Sequence, residues 1–209
     1  MGRAEQRAAT RGAYGRGERT RQRVVLETIR CLQTEGFQGI STSEVARRAG
    51  LSWGTLQYHF NDKDGLLAAA LEYSCRRLRE QVEREAVVDG TLRVRVRKLV
   101  DIAWRQFMSE DYRVMLEVLA NVGSSHADFP QVAAVRRANV SKLDSEWDRI
   151  FADVLAGRER IHAVRNLVFA ALRGLAVQRL SGVSSSFTAE RTLLVEAVVS
   201  LLSVSRAVA

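Results

Sequence analysis

Residues 40–67, ISTSEVARRAGLSWGTLQYHFNDKDGLL, decide the reading of this 209-residue chain, because their spacing is what two short helices crossing at a tight turn require. Ala46 stands where the helices cross and only a small side chain fits, and Gly50, four residues on, supplies the positive φ of the turn. Leu51 closes the turn with an apolar contact, and the Ser52 hydroxyl is placed to accept an amide of the next helix as its N-cap. Leu56, ten residues beyond Ala46, returns to the core alongside Val45 and leaves Trp53, Gly54, Thr55, Gln57 and Tyr58 on the remaining face. Upstream, Ser41-x-x-Glu44 has capping-box spacing for the first helix of the pair, with Thr42 as an alternative cap.

Working outward, Val25, Ile29 and Leu32 recur at helical spacing between Glu18 and Glu35, and Gly36 ends that helix. Asn61 or Asp62 caps a fourth helix carrying Leu66, Leu67, Ala70, Leu71 and Leu78 on one side. Helical periods then continue over residues 91–109 with Thr91 as cap, 112–121, from Pro130 to Leu155, 158–181 and 188–205. One proline, no hairpin signal and about nine helical segments predict an all-α fold. The expected organisation is an arginine-containing flexible arm at 1–18, a helix-turn-helix three-helix DNA-binding domain at 19–75, and a helical ligand-binding and dimerisation domain at 76–209.

Composition narrows the function without naming it. The formal charge is +8, but 29 of the 32 basic residues are arginine, which a GC-rich coding sequence also favours. Residues 19–73 hold seven basic and six acidic side chains, so charge alone would not find a DNA site there. Cys31 and Cys75 have neither metal-ligand nor redox spacing and read as plain buried thiols. With no run of eighteen apolar residues and no signal-peptide core, a cytoplasmic protein without membrane association is expected. His59, His126 and His162 are isolated, which leaves no nucleophile-base pair or metal constellation and predicts neither an enzyme nor a cofactor.

A recognition helix in the major groove offers its N-terminal side chains to base edges while flanking groups hold phosphates. Trp53 and Gln57 lie four apart on one face, and Ser43 is within reach of the groove, so these three are the base-reading candidates. Glutamine pairs bidentately with adenine and an indole packs on a thymine methyl. Thr42, Thr55, Tyr58, His59 and Lys63 carry groups suited to phosphate oxygens, although Tyr58 and Trp53 also read as core aromatics and His59 as a surface histidine.

Gly36-Phe37, Ser41-Thr42, Val45-Ala46, Ala49-Gly50-Leu51-Ser52, Gly54-Thr55-Leu56, Tyr58-His59-Phe60 and Lys63-x-x-Leu66-Leu67 together resemble the N-terminal domain of the TetR (tetracycline-repressor) family over about Arg21 to Tyr73. The resemblance implies a nine-helix homodimeric repressor that binds a near-palindromic operator on double-stranded DNA and is released by a small-molecule effector in the C-terminal domain. Trp53 and Gln57 depart from the residues common at those positions, so no operator sequence carries over. Arg11, Arg16 and Arg19 in the arm either enter an adjacent minor groove or form an inert tail.

The C-terminal half concentrates Trp104, Phe107, Met108, Met115, Trp147, Phe151 and Phe169, which suit a pocket for a medium-sized, mostly apolar ligand or equally an ordinary core. Arg105, Asn121, His126, Arg165, Arg173 and Gln178 are the polar groups that could orient such a ligand. The last two helices are apolar on most faces, with Ala170, Ala171, Gly174 and Ala176 permitting close approach, and are the expected homodimer surface. A ligand-independent regulator with a packed C-terminal half is the alternative.

Overall fold

A computed structural model describes the backbone of residues 3–123, 128–182 and 186–203, and the side chains of those residues from Gly17 onward. Among the described residues the chain forms nine helices and no strand: α1 (Arg3–Gly39), α2 (Thr42–Arg48), α3 (Trp53–Phe60), α4 (Lys63–Glu85), α5 (Leu92–Phe107), α6 (Glu110–Gly123), α7 (Pro130–Ile150), α8 (Arg158–Leu180) and α9 (Thr188–Ser203). No described helix is long and apolar enough to cross a membrane.

Two of these bounds correct the sequence reading. The segment read as an arm is helical from Arg3 and continuous with the first helix. Its alanines, arginines, glutamine and glutamates favour helix without an apolar period, against the cost of Gly12, Gly15 and Gly17. At the other end α7 stops at Ile150, short of Leu155. The buried guanidinium of Arg95 takes the Ile150 carbonyl at 2.8 Å and both carboxylate oxygens of Asp153, which turns the chain away from the helix axis. That partner lies 55 residues away in sequence, outside any local pattern.

The contacts divide the chain into two units, Met1–Tyr73 with Val114–Val135, and Ser74–Arg113 with Arg136–Ala209. The first cut falls near the expected boundary at residue 75. Residues 114–135, read as part of the ligand domain, instead group with the helix-turn-helix, and α4, α6 and α7 each contribute residues to both units.

Inside the first unit Val25, Ile29, Leu32, Ile40, Val45, Leu56, Phe60, Leu66 and Leu67 are buried. Asp64 is also buried, and its carboxylate accepts the amides of Gln131 at 2.7 Å and Val132 at 3.1 Å. It serves as the N-terminal cap that Pro130 and its neighbours do not supply locally. Glu117 accepts the Phe37 amide at 2.7 Å, just past Gly36, whose φ of 70° breaks α1. These two carboxylates, unremarkable in the sequence, draw residues 114–135 into the unit.

In the second unit α5 packs on α8 and α9. Val96, Leu99, Val100, Ala103 and Phe107 form the buried stripe of α5, and Ile161, Val164, Val168, Leu172 and Ala176 that of α8. Cys31 is buried, Cys75 half-buried, and neither is bridged.

The α3–α4 corner has a strict steric requirement. A Cβ on Gly65 would lie 1.9 Å from the Phe60 carbonyl oxygen, which is backbone and has no rotamer to yield. Gly65→Ala is therefore expected to cost about 2 kcal/mol or more of unfolding free energy by forcing this corner apart. Urea denaturation measures it, and a variant as stable as the parent would remove the constraint.

Candidate nucleic-acid interface

The interface is built from two helices too short to persist alone, seven residues in α2 and eight in α3. Each begins at a serine. Ser41 accepts the Glu44 amide at 3.2 Å and Ser52 accepts the Thr55 amide at 3.2 Å, which resolves the ambiguity between Ser41 and Thr42. Between them the Leu51 amide donates to the Ala46 carbonyl at 3.0 Å, and Gly50 takes a φ of 64°. Ala46 and Leu56 are buried where the sequence puts them.

The opposite face is open. Trp53 is 56% exposed and Tyr58 84% exposed, while Gln57, Gly54 and Thr55 are also exposed. Neither aromatic is a core residue. Ser43 is exposed, its hydroxyl 3.2 Å from that of Ser41. Thr42 and His59 are half-buried, and the Thr55 hydroxyl pairs with that of Ser52 at 2.8 Å. The His59 ring meets Tyr58 edge-on at 5.3 Å.

Lys63 has a structural engagement that the sequence does not reveal. Its ammonium donates to the Phe37 carbonyl at 3.0 Å and sits 4.7 Å from the centre of the Phe37 ring, and partial burial lowers its pKa from the usual lysine range. An ammonium carries three donors, so a phosphate contact remains open to it only as a second role. Arg19 is exposed on α1, and the side chains of Arg11 and Arg16 lie outside the described residues.

Arg47 and Arg48 escape the sequence reading, yet they set the electrostatics of α2. Arg47 forms a bidentate pair with Glu44 at 2.8 and 2.6 Å, and Arg48 bonds Glu44 at 2.7 Å while also pairing with Glu35. The hydrogen bonds from Arg47 and then Arg48 hold the Glu44 carboxyl down at about 2. Since its ordinary value is 4.5, any stability from the clamp is fully present above pH 4.5 and lost only as pH falls toward 2. The local charge is near neutral because these guanidinium groups are already spoken for.

The residues proposed for an apolar pocket fall in both units. Met115 belongs to the first unit, whereas the other six lie in the second. There Phe107 stacks with Tyr112 at 4.3 Å and Phe169 at 5.4 Å, and Trp147 with Phe151 at 5.3 Å, all as packed side chains. Only about 10 Å³ is free among Leu78, Leu99, Ala103, Leu143, Trp147 and Phe169. Met108 is half-buried, and Trp104 packs edge-on against Phe187.

The polar candidates are mostly engaged as well: Arg105 pairs with Glu85, Asn121 donates to the Glu117 carbonyl, Arg165 is buried against Asp144 and the Val140 carbonyl, and Arg173 meets the Tyr112 hydroxyl. Gln178 is exposed, and residue 126 lies outside the described residues. Among the described residues no three His, Cys, Asp or Glu side chains are grouped to hold a metal ion.

The family described as bacterial regulatory proteins, tetR family, matches residues 25–70, the segment that forms this interface. The HTH-type transcriptional regulator BetI of Stenotrophomonas maltophilia (strain R551-3) is 32% identical over 175 residues, covering 82% of this chain and 86% of its own. The chain belongs to the TetR family of bacterial transcriptional regulators. The BetI of Burkholderia mallei (strain NCTC 10229) is 28% identical over 68% of this chain and 72% of its own length. The fold is shared with a transcriptional regulator from Rhodococcus sp. Rha1 (TM-score 0.65, 22% identity, 87% of this chain and 95% of that one). It is also shared with the multidrug binding protein EbrR complexed with imidazole (TM-score 0.67, 19% identity, 90% and 97%). The regulator thus binds DNA through a helix-turn-helix and, like the relatives named for this role, is not an enzyme.

Glu44→Gln removes the carboxylate that occupies Arg47 and Arg48 and adds one positive charge to the face. Nonspecific duplex affinity at low salt is expected to rise, and the slope of log affinity against log salt to steepen by up to about 1. Fluorescence anisotropy across a salt series reads both, and an unchanged slope would show that the two arginines do not reach phosphate.

Proposed function

We propose that the regulator is a homodimeric repressor that reads a palindromic operator with Trp53 and Gln57 of α3 and Ser43 of α2. Thr42, Thr55, Tyr58, His59 and Lys63 hold the phosphates. The observation that carries this reading is the exposure of Trp53 and Tyr58 beside Gln57 on one short helix. Large aromatics left in water mark an interaction surface, and an indole beside an amide is equipped for a thymine methyl and an adenine edge.

Selection of duplexes from a random pool should enrich an inverted repeat with half-sites about one helical turn apart, roughly 10 base pairs. Trp53→Ala should relax the sequence preference by about 1–3 kcal/mol at one position of each half-site, and Tyr58→Phe should weaken all duplexes alike. Failure to enrich any sequence, or an identical motif from Trp53→Ala, would overturn the assignment.

Support for dimerisation comes from the exposed row of α8. Ala163, Leu167, Ala170, Gly174 and Val177 are all open to solvent and alternate at intervals of four and three, the spacing of a close-packed helix seam. Leu193 of α9 is 64% exposed. Leu167→Asp is expected to convert a dimer to a monomer in sedimentation equilibrium at micromolar concentration. A parent chain already monomeric there, or an unchanged dimer in the variant, would refute the seam.

Release by a small molecule held in the second unit completes the reading. The gap beside Trp147 and Phe169 is about 10 Å³, so an effector seated there would have to displace one of them. The packing of Phe107 on Phe169 and of Trp147 on Phe151 supports a second reading, a regulator whose C-terminal interior takes no ligand.

A further inference from the structure

A polar cleft between α5 and α9 is lined by Arg93, Arg97, Asp101, Thr188, Arg191 and Thr192. We propose that this cleft is an oxyanion-binding site in which Arg93, Arg97 and Arg191 receive the carboxylate or phosphate group of a small molecule. The cleft encloses about 220 Å³. That is below the ~300–1,000 Å³ of pockets for drug-sized ligands, so its occupant is a small acid or phosphate.

Arg191 is the preorganised member. Its guanidinium lies 4.9 Å from the centre of the Trp104 ring, and one terminal nitrogen donates to Asp101. Its Nε is shielded from solvent and has no hydrogen-bond partner. Trp104, read from the sequence as an apolar ligand contact, is instead a platform that fixes the plane of a cation.

Arg93 and Arg97 are exposed on successive turns of α5 and line the same cleft. Arg93 is only loosely held, 3.9 Å from Glu196, and Arg97 has no ion-pair partner among the described residues. Three guanidinium groups face two carboxylates, Asp101 and Glu196, so the cleft keeps one uncompensated positive charge. Thr188, the first residue of α9, also lines it, which adds the positive end of that helix. Planar forks converging from two elements suit the flat or tetrahedral oxygens of carboxylate and phosphate.

The test uses the full chain in separate calorimetric titrations with succinate and with inorganic phosphate at low and high salt. Saturable binding of one of them, weakened by salt and reduced at least tenfold in Arg97→Ala, is expected; the preferred probe distinguishes a carboxylate from a phosphate source. Arg97 is exposed and holds no packing, so its variant should keep the parental melting temperature, which secures the comparison even if Arg191→Gln loosens the α5–α9 contact. Absence of saturable binding, or equal binding by parent, Arg93→Ala and Arg97→Ala, would overturn the site. The proposal does not rest on the effector reading. A bound probe that leaves operator affinity unchanged would remove the effector role and keep the site, so the two failures are distinguishable.

Discussion

The buried carboxylate of Asp64, accepting the amides of Gln131 and Val132, is the contact on which the arrangement of the reading unit depends. Two helices of seven and eight residues have no stability of their own. They persist because Val45, Leu56 and Phe60 are buried, and because the ends of the flanking helices α1 and α4 are fixed. Asp64 fixes the start of α4 against α7. Glu117 does the same for the end of α1, meeting the Phe37 amide where Gly36 breaks the helix. Each carboxylate also satisfies amides that would otherwise be stranded, so the ties serve hydrogen bonding and positioning together.

Charge has a different role than the composition suggests. The chain is basic overall, yet the arginines of α2 are paired with Glu44 and Glu35, and Lys63 rests on the Phe37 carbonyl. The open face of α3 therefore carries exposed Trp53, Gln57 and Tyr58 rather than free cations. A DNA contact made through such a face would favour base-edge and stacking contacts over a large nonspecific electrostatic contribution.

The aromatic residues of the second unit pack in pairs, Phe107 on Phe169 and Trp147 on Phe151. Arginine, abundant in this half, takes several unlike tasks: Arg95 ends α7, Arg165 is buried against Asp144, and Arg191 lies over Trp104 beside a cleft. A residue type that composition presents as one basic excess is separated by the fold into structural caps and an exposed cluster.

The all-α class, the positions of α2 and α3, the serine caps and the exposed face of α3 were legible because each depends on neighbours within a few residues. Turn glycine, small crossing residue and apolar period all act locally. The helical continuation of residues 3–18 was missed because propensity without periodicity leaves no amphipathic signature. The grouping of residues 114–135 with the helix-turn-helix, the early end of α7, the engagement of Lys63 and the packing of Phe107 on Phe169 depend on partners tens of residues away. The sequence by itself determined where the two short helices of the helix-turn-helix lie, since that follows from local geometry. Tertiary structure decided what holds those helices and which arginines remain open, because hydrogen bonds and burial are settled by neighbours that only folding brings together.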